Sequence, residues 1–127
     1  MAEGTRSVST ILLADDEDVM RLVVRTTLDD VRYQIVEVAD GLAALAAARQ
    51  APPDLLILDW MMPGMTGPEV AAAIRTDPAL AATPIIFLTA KGQVADREEV
   101  AGLGATAYLV KPFSPLELIQ CVEAALP

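Results

Sequence analysis

Leu55-Leu56-Ile57-Leu58-Asp59 decides the fold: four consecutive apolar residues without polar alternation, closed by a carboxylate. A strand with one wet face alternates apolar and polar side chains, whereas a parallel strand covered by helices on both faces is apolar throughout. Two further runs share that character, Thr10-Ile11-Leu12-Leu13-Ala14 upstream and Ile85-Ile86-Phe87-Leu88 downstream. Gln34-Ile35-Val36-Glu37-Val38 alternates and reads as an edge strand, and Ala107-Tyr108-Leu109-Val110 supplies a fifth run.

Helical periodicity fills the intervals. Met20, Val23, Val24, Thr27 and Leu28 fall on one face after the first run, and Leu42, Leu45 and Ala46 do the same after the second. Thr66 with Glu69, and Ser114 with Glu117, have capping-box spacing, and Pro115 suits a first helical turn, so the third and fifth helices start there. A fourth, polar helix is expected over Val94–Leu103, with Val94, Val100 and Leu103 set among Asp96, Arg97, Glu98 and Glu99, ending at Gly104. Neither an internal repeat nor a Ser/Gly-rich linker interrupts this alternation. The expected architecture is α/β: a single doubly wound, five-stranded parallel sheet with right-handed crossovers, flanked by five helices. Residues 1–8 form an N-terminal tail and residues 9–127 the folded domain.

Composition narrows the chemistry. The 127 residues are one domain's worth, with 54% hydrophobic content to build a core. Eighteen acidic against nine basic residues give a net charge of −9, which repels phosphate backbones and anionic headgroups and argues against direct binding of nucleic acid or membrane. With no histidine and a single cysteine, Cys121, the usual zinc, haem and Ser/Cys–His catalytic sets lack a member. The first ten residues have no apolar signal-peptide core, and no apolar run reaches the ~18 residues of a membrane span. A soluble, cytoplasmic location is expected.

In open α/β sheets the working site lies beyond the carboxyl ends of the strands. There the sequence places Asp15 and Asp16 after the first run, Asp59 after the third, Thr89 after the fourth and Lys111 after the fifth. Singly, each has an ordinary reading: a helix cap, a turn residue, a solvated charge. Together they do not, because crowded carboxylates repel one another and raise at least one pKa unless a cation neutralises them. Oxygen ligands without histidine or thiolate select magnesium or manganese, which leaves coordination positions for a phosphoryl oxygen.

These residues resemble a known family. The acid pair Asp15-Asp16, the segment Leu58-Asp59-Trp60-Met61-Met62-Pro63-Gly64-Met65-Thr66-Gly67, Phe87-Leu88-Thr89-Ala90, and Tyr108-Leu109-Val110-Lys111-Pro112-Phe113 occur in the order and at the strand ends of CheY-like receiver domains of two-component response regulators. The likeness runs from about Ser9 to Leu126 and implies the flavodoxin-like strand order 2-1-3-4-5. It further implies that Asp59 accepts a phosphoryl group from a sensor histidine kinase or phosphotransfer protein. Mg²⁺ (or Mn²⁺) would be held by Asp16, Asp59 and the backbone carbonyl of Met61, with Asp15 acting through water. Lys111, the Thr89 hydroxyl and the Ala90 N–H would bind phosphoryl oxygens, and Lys111-Pro112 would be a cis peptide. Thr89 and Tyr108 would form the switch that alters the face made by the fourth helix, fifth strand and fifth helix, controlling a partner or an attached output module. Such a domain is a signalling phosphoacceptor rather than a turnover enzyme.

Other readings fit less well. A flavin-binding flavodoxin needs a phosphate-accepting loop after the first strand, where this chain has Asp15-Asp16-Glu17-Asp18. A haloacid-dehalogenase-type phosphatase needs a second aspartate at position 61, which is methionine. A degenerate receiver, serving as a phosphorylation-independent interaction module, usually lacks an acid or the lysine, and all are present. Four further expectations follow from the residues around these motifs. Gly64 and Gly67 serve positive φ or close approach, and Trp60 reports metal binding. Met61 and Lys91, which tune the phosphoryl lifetime in receivers, carry no group that orients water, so self-dephosphorylation is slow. Arg97 and Glu117 remain from the ion pairs that dimerise related DNA-binding regulators, but Ala107 and Cys121 replace an acid and an arginine, which points to a monomer or weak dimer.

Overall fold

Strands β1 (Ser9–Ala14), β2 (Tyr33–Val38), β3 (Leu55–Asp59), β4 (Ile85–Ala90) and β5 (Ala107–Lys111) pair in parallel in the order β2-β1-β3-β4-β5. The computed structural model describes residues 8–90 and 104–126, and within them the helices are α1 (Asp18–Thr27), α2 (Gly41–Gln50), α3 (Gly67–Thr76) and α4 (Pro115–Ala125). The helix expected over Val94–Leu103 lies outside the described residues, so α4 is the fifth helix of the sequence reading.

The all-apolar runs are explained by a core on each face of the sheet. Leu12, Leu56, Leu58, Ile85 and Phe87 point to one face, where Ala44, Ala48, Val70 and Ile74 of α2 and α3 cover them. Ile11, Leu13, Leu55, Ile57, Ile86 and Leu88 point to the other, against Val24 and Leu28 on the α1 side and Leu118 and Val122 of α4. The alternating run, Gln34 to Val38, does occupy an edge. Both capping boxes form: Thr66 with Glu69 and Ser114 with Glu117 each exchange side-chain and backbone hydrogen bonds, so α3 and α4 begin at fixed points just downstream of β3 and β5.

Two helical faces differ from expectation. On the α1 side, Val24 and the C-cap residue Leu28 are buried and Met20 packs beside them, but Val23 is exposed. In α2, Leu42 is 61% exposed and Ala46 is also outside, while Gly41, Ala44, Leu45 and Ala48 form the inner face. The run Leu42–Ala48 carries no polar residue to mark its outer side, so periodicity alone cannot orient it. Contact does: a Cβ at Gly41 would lie 2.3 Å from the Met65 carbonyl oxygen, so the helix start is packed against the loop after β3. Strands β3, β4 and β5 also run one or two residues further than the apolar runs, because the ladder continues through Asp59↔Leu88 and Ala90↔Lys111.

Candidate functional site

Asp15 follows β1 directly and is fully buried. Its backbone N–H donates to the Val38 carbonyl at 3.2 Å, and its Oδ1 accepts from the Glu17 N–H at 2.9 Å. Arg21, one turn into α1, donates to the Asp15 carbonyl oxygen at 2.6 Å and pairs with Asp18. A guanidinium therefore fastens the acidic loop from below, offsetting part of its mutual repulsion. Asp16, by contrast, is exposed.

Asp59 ends β3 and is 7% exposed. The next two backbone anchors keep it there: the Trp60 N–H donates to the Leu88 carbonyl, and the Gly67 N–H returns to the Trp60 carbonyl, both at 2.9 Å. Gly67 is required by contact, since a Cβ there would lie 2.4 Å from the Asp59 carbonyl oxygen. Gly64 is required by conformation, with φ +83°. The two glycines thus serve the two purposes expected of them.

From the far side comes Lys111. Its Nζ donates to Asp15 Oδ2 and Asp59 Oδ1, each at 3.1 Å, and to Glu17 Oε1 at 3.5 Å. The Lys111-Pro112 bond is cis. Burial pulls the lysine pKa down, but hydrogen bonds to Asp15 and Asp59 outweigh it and leave it above its ordinary value. Burial, and then the charge of Asp15, push Asp59 up to about 6 even though Lys111 works in the other direction. One ammonium is not enough positive charge for this site.

The donor set fits a hard divalent cation. Asp15, Asp16 and Asp59 each offer a carboxylate oxygen, and these lie within 4.8 Å of one another, with no nitrogen or sulfur ligand among them. Thr89 is also suited to an oxygen-rich guest: its hydroxyl is completely buried and has no hydrogen-bond partner among the described residues. Such an atom is costly unless something pairs with it. Ala90 is exposed at the end of β4, in register with Lys111. Met61 is 57% exposed in the loop after Asp59. Lys91 and Arg97 lie outside the described residues.

Tyr108 is the cross-strand partner of Phe87 and stacks on it, with centroids 5.7 Å apart. Trp60 completes the group, edge-on to Phe87 at 5.1 Å and tilted toward Tyr108 at 6.5 Å. Trp60 is buried in the core, so one aromatic cluster joins the residue after Asp59 to β5. Sequence reading missed Glu17 and Arg21 as parts of the site. Their signal was position: one follows the acid pair and the other sits a turn later, where a long cation can fold back over the loop.

The sequence matches the response regulator receiver domain over residues 11–123. It is 38% identical over 117 residues to the phosphate regulon transcriptional regulatory protein PhoB of Pseudomonas aeruginosa, covering 92% of this chain and 51% of that protein. It is 45% identical over 116 residues to the transcriptional regulatory protein ResD of Bacillus subtilis, covering 91% and 47% respectively. The chain therefore spans about half the length of these curated relatives. Among solved structures it resembles the chemotaxis response regulator CheY4 of Vibrio cholerae, with a TM-score of 0.85 at 36% identity, covering 94% of this chain and 100% of that one.

Proposed function

Since the chain belongs to the response regulator receiver domain family, we propose that residues 9–127 form a working phosphoacceptor in which Asp59 takes a phosphoryl group from the phosphohistidine of a sensor histidine kinase or phosphotransfer protein. The observation that carries this is the cluster of Asp15, Asp16 and Asp59 at the carboxyl edge of the sheet, with Lys111 bonded to two of its members, Asp15 and Asp59. An Asp59 oxygen attacks phosphorus, an O–P bond forms as the N–P bond breaks, and the histidine imidazole leaves with the electron pair. Asp15, Asp16, Asp59 and the Met61 carbonyl would hold Mg²⁺ (or Mn²⁺), which supplies charge neutralisation and orientation at the phosphoryl oxygens. Lys111 and the Ala90 N–H contact those oxygens, and the orphaned Thr89 hydroxyl finds its partner there.

The output is a change of face. Thr89 moves toward the phosphoryl group, Tyr108 follows, and the surface around β5 and α4 is altered for a partner or output module. With a charge of −9 the domain works through protein contacts in the cytoplasm, without touching nucleic acid or membrane itself. No helix among the described residues is long and apolar enough to cross a membrane.

Incubation with acetyl phosphate and Mg²⁺, followed by intact-mass measurement, tests the reading. Wild type gains one phosphoryl group, Asp59→Ala gains none, and Asp16→Ala binds Mg²⁺ at least ~10-fold more weakly, as read by Trp60 fluorescence. No gain in the wild type would leave a phosphorylation-independent interaction module.

A further inference from the structure

Lys111 has no spare donor. An ammonium carries three N–H groups, and Asp15, Asp59 and Glu17 accept at 3.1, 3.1 and 3.5 Å. A phosphoryl oxygen reaches this nitrogen only by displacing one of the three. Asp15 and Asp59 are buried within the carboxylate cluster, so neither side chain can swing out into water to free the ammonium. Glu17 has a side chain 64% exposed and goes into solvent at little cost. Glu17 stands at the N-cap of α1 but makes no side-chain cap bond, so its carboxylate is not held by the first turn. The carboxylate instead crosses from the start of α1 to the end of β5.

We propose that Glu17 is a positioning residue that tunes the rate of phosphoryl transfer, occupying the outward donor of Lys111 at rest and yielding it to the arriving phosphodonor. The proposal rests on Asp59 as the phosphoacceptor. Glu17 acts twice against an anionic donor: it competes for the ammonium and it adds a negative charge at the mouth of the site. Both effects come from an exposed carboxylate, so the restraint is modest and salt-sensitive.

The test is the pseudo-first-order rate of mass gain with acetyl phosphate, at an Mg²⁺ concentration that saturates each variant, at low and high ionic strength. Glu17→Gln is expected to react about two- to fivefold faster than wild type at low salt, equivalent to about 0.4–1 kcal/mol at 1.4 kcal/mol per factor of ten. The advantage shrinks at high salt. Asp18→Asn removes the same charge one residue along, from a side chain paired with Arg21 rather than Lys111, and is expected to gain less. A Glu17→Gln rate equal to or below wild type overturns the proposal, as does an equal gain in Asp18→Asn. A wild type that takes no phosphoryl group defeats the underlying assignment of Asp59, and the proposal with it.

Discussion

The Lys111 ammonium donates to Asp59 at 3.1 Å although their strands, β5 and β3, are separated in the sheet by the whole of β4. The lysine reaches over the end of β4, where Thr89 and Ala90 stand, so three strands deliver groups to one point. Such a meeting depends on strand order as much as on residue type.

The pH dependence of stability follows from Asp59. Its carboxyl is raised from an ordinary 3.8 to about 6, chiefly by burial. Between about pH 4 and pH 6 the folded chain keeps a proton that the unfolded chain has released, so this group's contribution to stability falls as pH rises through that window and is constant above it. Asp59→Asn is expected to melt about 3–5 °C above wild type at about pH 7.5 without metal, corresponding to ~1 kcal/mol. The difference should vanish toward about pH 4, and saturating Mg²⁺ should stabilise wild type more than the variant. Circular dichroism melting curves across this range decide it; identical curves at the upper end would show that the ionised carboxylate carries no such cost.

The glycines of the loop after β3 separate two kinds of constraint. Gly67→Ala sets a methyl group 2.4 Å from the Asp59 carbonyl oxygen, and backbone must move. A loss of ~2–3 kcal/mol in denaturant unfolding, together with weakened Mg²⁺ binding, is expected. Gly64→Ala meets only Leu42 at 3.5 Å and carries the strain of φ +83° alone, so ~1 kcal/mol and near-normal metal affinity are expected.

Lifetime is set by what can hold a water beside the phosphoryl group. Met61 is exposed and apolar and Lys91 has no acceptor, so a Met61→Asn, Lys91→Glu double variant is expected to lose its phosphoryl group faster than wild type. Intact mass followed after donor removal measures this. Slower loss in the double variant would reverse the roles given to these positions.

A groove of about 350 Å³ between β5 and α4 is lined in part by Ala107, Glu117 and Cys121, the positions on which the expected state of assembly rests. The Glu117 carboxylate already accepts from the Ser114 N–H at 2.8 Å, so its capping box competes with any cross-subunit ion pair. Sedimentation of the beryllofluoride-activated domain is expected to show a monomer or weak dimer. A tight symmetric dimer through this face at micromolar concentration would count against that expectation.

Much of this was legible in the residues themselves. Unbroken apolar runs as short as Leu55–Leu58, bounded by turn residues, favour a strand covered on both faces, and Thr66/Glu69 and Ser114/Glu117 mark helix starts through local hydrogen bonds. The strand-end acids and lysine were legible only together, because each alone has an ordinary structural use and crowded carboxylates do not. What stayed hidden depended on contacts distant in sequence. Leu42 is turned outward because Gly41 abuts Met65, and Glu17 meets Lys111 across 94 positions. The family resemblance supplied the strand order before any contact could.

The hydrogen bond from the Gly67 N–H to the Trp60 carbonyl closes residues 60–67 into a ring that begins beside Asp59 and ends at the capped start of α3. Ordering that ring is an entropic cost met during folding rather than during binding. The carboxylate proposed as acceptor is therefore preorganised, so a brief encounter with a donor need not shape the loop first. Lengthening the ring by a residue would leave every charge in place and still slow the reaction.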